Sequence, residues 1–122
     1  MLKFCSLYSG SSGNSLLVQS DNTNVLIDAG VSGKKVVEAL NSSSVDISSI
    51  SAILVTHEHI DHVKSLGTLS KKYDIPVFAN KETWNAMPKE KDKILEKNQN
   101  LFSVGKSFGI GDLEFSAFST PH

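Results

Sequence analysis

The stretch that most restricts the fold of this chain is ISAILVTHEHIDH, residues 50–62. Its first part contains a β-branched apolar run, Ile50 to Val55, which suits a strand covered on both faces. Thr56 to His62 follow at once, and three of the chain's four histidines fall between positions 57 and 62, interleaved with Glu58 and Asp61. A buried strand that runs into imidazoles and carboxylates delivers them to the loop at its carboxyl end, where α/β sheets carry their ligands.

The surrounding sequence agrees with an α/β domain. LKFCSLY (2–8), SLLVQS (15–20) and NVLIDAG (24–30) read as strands, separated by the small GSSGNS (10–15) and the turn cluster DNTN (21–24). SGKKVVEALNSS (32–43) switches to helical spacing, with Val36, Val37 and Leu40 on one face and Ser32 placed to cap the start. HVKSLGTLSKKY (62–73) repeats that spacing through Val63, Leu66, Leu69 and Tyr73. DIPVFA (74–79) is a short strand, and KETWNAM (81–87) and KEKDKILEK (89–97) are helical pieces split at Pro88. LFSV, SFGIGD and LEFSAFS close the chain as hairpin-like strands with glycine turns. At 122 residues, positions 1–122 form one domain, with no internal repeat.

Composition narrows the function. A net charge of −1 leaves no overall basic footprint for nucleic acid, and all twelve basic residues are lysines. Without arginine this chain lacks the preferred bidentate grip on phosphate. The start, MLKFCSLYSGSSGNS, is not a signal peptide, because its short apolar patch breaks at Gly10, and no apolar run approaches the ~18 residues of a membrane span. A single cysteine, Cys5, cannot form an internal disulfide, which fits a reducing cytoplasm.

In extended backbone, residues two apart point the same way, so His57 and His59 can converge on one ion. Asp61 and His62 are adjacent and would diverge in a strand. If the chain turns helical there, they can reach a second ion, Asp61 through oxygen and His62 through nitrogen. HEHID begins like the helical H-E-x-x-H of zinc proteases, but its fifth position is Asp61, so that reading fails. Solvated histidines at a strand end are the plain alternative. Three within six residues, directly after a buried strand, favour metal binding instead.

H-x-H-x-D-H after a hydrophobic strand resembles the hallmark of the metallo-β-lactamase superfamily, and THEHIDH matches it at every defining position. LIDAG, with Asp28 just before a glycine, resembles that superfamily's first motif. SGSSGNS (9–15), ILVTHEHIDH, VFANKETWNAM and the closing FSTPH together look like the YycJ/WalJ branch of metal-dependent 5′-to-3′ exonucleases. The resemblance implies the N-terminal half of an αββα sandwich, a mixed sheet with helices on its outer face. It matches His57, His59 and His122 to ligands of a first metal, and Asp61 and His62 to ligands of a second. It matches Asp28 to a buried carboxylate that braces the ligand loop, against the simpler reading of a turn cap. Glu58 falls at the variable position and reads as solvated.

The same resemblance implies a divalent-metal hydrolase acting on DNA, with Asp61 also able to orient the attacking water. It implies two ions in the complete enzyme and one or none in this chain, because the remaining ligands belong to a second, similar half. Nitrogen and oxygen donors without thiolate favour zinc, with manganese as the alternative. A hydrolase of small esters, thioesters or lactams, and a non-catalytic metal-binding fragment, are the competing functions. Ser11, Ser12 and Asn14 either line the substrate cleft or simply make a turn. Trp84 and Met87 read as core, and Lys34–Lys35 and Lys71–Lys72 as wet surface. With its partner half absent, the inner face of the sheet is expected to be a bare apolar patch through which the chain self-associates.

Overall fold

A computed structural model of the chain describes residues 2–57 and 59–118. Six strands lie side by side in sequence order: β1 (Lys3–Tyr8), β2 (Ser15–Gln19), β3 (Asn24–Ile27), β4 (Ile50–Leu54), β5 (Val77–Ala79) and β6 (Gln99–Leu101). The first three pair antiparallel through short turns, and β3 to β6 pair in parallel. Parallel neighbours need crossovers, and each crossover here is helical. These are α1 (Gly33–Ser42), then α2 (Ile60–Val63) with α3 (Leu66–Tyr73), then α4 (Lys81–Ala86) with α5 (Pro88–Lys93). The result is a mixed α/β sheet with its helices on one face.

Strand alternation sorts the side chains into two cores. Leu17, Leu26, Ile53 and Val77 face the helices and pack with Val36, Leu40, Leu66, Leu69 and Trp84. Val18, Val25, Ala52 and Leu54 face the other way. That second face is not bare. The hairpin of β7 (Ser107–Ile110) and β8 (Leu113–Ser116) folds across it and buries Ile110 and Leu113 against these residues, with Phe108 and Phe115 alongside. Being covered on both sides explains why β4 is apolar on both. Trp84 and Met87 are core residues, and the Trp84 indole N–H donates to the Asn100 carbonyl at 2.8 Å.

Two further sequence-based expectations are corrected. The helical spacing over 62–73 predicts one helix, yet the chain breaks between α2 and α3. There the Ser65 N–H and hydroxyl turn to the Ala29 carbonyl, at 2.9 and 3.2 Å, instead of continuing a helical ladder. LFSV (101–104) is expected in the closing hairpin. Only Leu101 is in a strand, and it lies at the sheet edge, where β6 pairs with β5.

The hairpin is tied down at its tip. Gly111 adopts φ +57° beneath Thr23, where a side chain would collide with the threonine. The Asp112 N–H donates to Thr23 Oγ1 at 3.3 Å, and its carboxylate accepts from the Ser20 hydroxyl and, at 3.4 Å, from Asn22 Nδ2. The Ser20 hydroxyl foremost, then Thr23, holds the Asp112 carboxyl below the ordinary aspartate value of 3.8. A carboxyl lowered on folding adds stability above its unfolded pKa, and that contribution is lost as pH falls through the folded value. The urea midpoint should therefore drop less between pH 7 and pH 3 in Asp112→Asn than in the wild-type chain. Equal drops would show that the tie contributes nothing.

Candidate metal centre

Three backbone segments meet beyond the carboxyl ends of β3 and β4. Asp28 directly follows β3 and takes φ +66°, a left-handed conformation that aspartate tolerates better than most residues. Its N–H still donates to the Leu54 carbonyl of β4 at 2.7 Å, while its carbonyl accepts from the Ser15 hydroxyl at 2.8 Å. The next two amides reach outward: Ala29 N–H donates to the His62 carbonyl at 2.8 Å, and Gly30 N–H to the Asn14 carbonyl at 2.9 Å. Asn14 N–H closes the circuit by donating to the Asp61 carbonyl at 2.7 Å. Gly30 lies so close to α2 that an added Cβ would overlap the Asp61 carbonyl.

Inside this frame the Asp28 carboxylate is buried and fully engaged. Oδ1 accepts from Thr56 N–H at 2.8 Å, and Oδ2 accepts from the Thr56 hydroxyl and from His62 Nδ1 at 2.7 Å. An ionised carboxylate only accepts, so Nδ1 of His62 carries a hydrogen, which in the neutral ring leaves the lone pair on Nε2. The same logic reaches His57. The one hydroxyl hydrogen of Thr56 is committed to Asp28, so the 3.0 Å contact between Thr56 Oγ1 and His57 Nδ1 is donated by the imidazole. Its Nε2 is then the acceptor nitrogen as well. One buried charge thus selects the tautomer of two rings.

The expected turn into helix occurs: His59 is the N-cap of α2, and Asp61 and His62 sit in its single turn. Given a Zn–N distance of about 2.0–2.1 Å, two imidazoles sharing one tetrahedral ion have ring centroids about 5 Å apart. His57 and His62 stand at 4.8 Å, and His57 and His59 at 6.2 Å. The described geometry therefore groups His57 with His62 more tightly than with His59, whose exposed ring must swing inward to join a shared ion. Asp61 Oδ2 lies 3.8 Å from His62 Nε2, near the about 3.4 Å of two donors on one tetrahedral ion. Among the described residues no group of three donors is arranged to hold an ion. His122 lies outside the described residues, as does Glu58. The donor chemistry, neutral imidazole with carboxylate, fits zinc or manganese.

Of the loop residues singled out from sequence, Ser11 and Ser12 are exposed, whereas Asn14 is drawn to Asp61. Thr56, Ser15, Gly30 and Ser65 were not singled out, although all four hold the frame together. Two signals were available: Thr56 directly precedes the first histidine, and Gly30 follows Asp28 closely. A half-open cleft of ≈ 510 Å³ adjoins the frame, lined by His57, Thr56, Asn80, Phe102, Phe108 and Phe115 among others.

The close approach at Gly30 makes a direct test of the frame. Gly30→Ala should push α2 away from β3 and cost about 1–3 kcal/mol, as overpacking does. Chemical denaturation would measure it, and a loss below a few tenths of a kcal/mol would mean the contact relaxes freely.

The geometry has known counterparts. Residues 8–122 match the family model described as the metallo-beta-lactamase superfamily. The chain is 46% identical over 121 residues to exodeoxyribonuclease YycJ of Bacillus anthracis, covering 99% of this chain and 46% of that protein. It is 38% identical over 122 residues to exodeoxyribonuclease WalJ of Streptococcus pneumoniae, covering 98% and 45%. Among solved structures it is similar to the Rm3 metallo-beta-lactamase, with a TM-score of 0.75, 26% identity, and 97% of this chain matched to 49% of that one. This chain spans about half the length of the curated relatives it matches. A family match across nearly every residue, joined to a shared backbone that implies a divalent-metal site, shows that this chain belongs to the metallo-β-lactamase superfamily.

Proposed function

We propose that this chain supplies the histidine-rich half of a divalent-metal hydrolase, a phosphodiesterase that shortens DNA in the 5′-to-3′ direction. The observation that carries the metal reading is the Asp28 carboxylate, which bonds directly to His62 and through Thr56 to His57 and so turns both Nε2 atoms into acceptors. A solvated cluster has no need of that arrangement. The DNA reading is supported by the identity with the two exodeoxyribonucleases.

In this reading His57, His59 and His122 hold one ion, and Asp61 with His62 contributes to a second that needs further donors. A bound divalent cation supplies Lewis acidity, which activates water near neutral pH and stabilises charge on phosphoryl oxygens. Zinc suits the donors best, with manganese next, and the chain by itself retains one ion or none. This chain's own residues do the remaining work. In this reading Asp28 fixes a hydrogen on Nδ1 of His62 and, through Thr56, of His57, α2 presents Asp61 beside His62, and Asp61 would orient an attacking water. No described helix is long and apolar enough to cross a membrane. A DNA substrate and one cysteine suit action in the cytoplasm.

Calorimetric titration of a polypeptide of the relatives' full length with Zn²⁺ should show binding, and no heat would end the metal reading, while the 122-residue chain should bind at most one ion. Asp28→Asn keeps a residue that tolerates the left-handed backbone while removing the charge. It should weaken Zn²⁺ binding about 10–100-fold, the usual cost of losing a partner that orients a ligand. A polypeptide of the relatives' full length should release nucleotides from 5′-phosphorylated DNA with Zn²⁺ or Mn²⁺, and His59→Ala should lower that rate by more than about 100-fold. Thioester, ester or lactam turnover without DNA cleavage would instead favour the small-substrate reading.

A further inference from the structure

Asn14 faces two ways. Toward its own loop, Oδ1 accepts from Gly10 N–H at 3.2 Å and Nδ2 donates to the Gly10 carbonyl at 3.0 Å. Toward α2, the same Nδ2 lies 3.3 Å from the Asp61 carbonyl and 3.4 Å from Asp61 Oδ2. A primary amide has two hydrogens, so Nδ2 divides them between Gly10 and the two Asp61 oxygens. The backbone needs none of this, because Asn14 N–H and C=O already bind Asp61 and Gly30. The side chain adds only a bridge from the loop to the carboxylate.

We propose that Asn14 is a positioning residue that aims the Asp61 carboxylate at the cation and couples occupancy of that site to the loop of residues 9–13. This rests on the reading of Asp61 as a metal ligand. Gly10, at φ +112°, has open space around it, and Ser11 and Ser12 form the exposed tip. Besides these Asn14 bonds the loop has the 3.3 Å contact of Gly13 N–H with the Gly10 carbonyl. A cation on Asp61 holds the carboxylate in one rotamer, which holds the amide, which holds Gly10. Such coupling is reciprocal: whatever orders the loop tightens the ion, and the ion slows opening of the loop.

Hydrogen exchange of a polypeptide of the relatives' full length, in which the site of Asp61 and His62 has its remaining donors, read with and without saturating Zn²⁺, tests this directly. In the wild type the Gly10 amide should exchange about tenfold more slowly with Zn²⁺ present. In Asn14→Ala, with circular dichroism unchanged, Zn²⁺ should bind about tenfold more weakly, the low end for a lost orienting partner, and the loop should no longer respond. Zn²⁺ binding to the wild type without slower exchange at Gly10 overturns the proposal, whether or not the variant folds. Wild-type affinity in Asn14→Ala overturns it too. If Zn²⁺ does not bind the wild type at all, the reading of Asp61 as a ligand falls and takes this inference with it. That outcome is distinct from a failure of Asn14 alone.

Discussion

A carboxylate shut away from water is tolerable only when donors meet its charge, and Asp28 meets that condition by recruiting from two other segments. Thr56 supplies an amide and a hydroxyl from the end of β4, and His62 supplies a ring N–H from α2. Because β3 and β4 are parallel neighbours, their carboxyl ends lie together, and the left-handed turn at Asp28 swings the side chain across the gap. The charge therefore staples the strand ends and sets ring chemistry with the same three bonds. Losing it would strand the donors as well as the histidines.

The backbone circuit around that charge has little slack. Asn14, Gly30, Asp61, Ala29 and His62 are linked by backbone hydrogen bonds between 2.7 and 2.9 Å, and Gly30 leaves no volume for a side chain. Metal sites gain from such preparation, because ligands already held in place lose less freedom when an ion arrives. His59 is the exception. Exposed at the N-cap of α2, it would have the most movement to make in the proposed site.

The sheet's second face bears on how this chain stays folded. An unpaired inner face would leave Val18, Val25, Ala52 and Leu54 in water, yet the closing hairpin buries all four. Coverage ends short of the strand termini, where the cleft beside His57 is lined by phenylalanines, and Phe118 is 80% exposed. Apolar surface is thus left open next to the histidines, as it is at Phe4 on the edge strand β1.

Local pattern determined a good deal by itself. The both-faces-apolar strand Ile50–Leu54, the helix over Gly33–Ser42 capped by Ser32, and the His57–His62 cluster at a strand end all follow from spacing, because each residue's periodicity reports its own element. The superfamily resemblance was legible for the same reason, since its motif is contiguous. Tertiary structure alone decided the rest. Asn14 meets Asp61 across 47 residues, Ser65 breaks a helical pattern to reach a carbonyl 36 residues earlier, and Thr56 spends its one hydrogen on Asp28 rather than on His57. Those choices depend on which strand ends are brought together and how closely, and no residue's neighbours in the chain carry that distance.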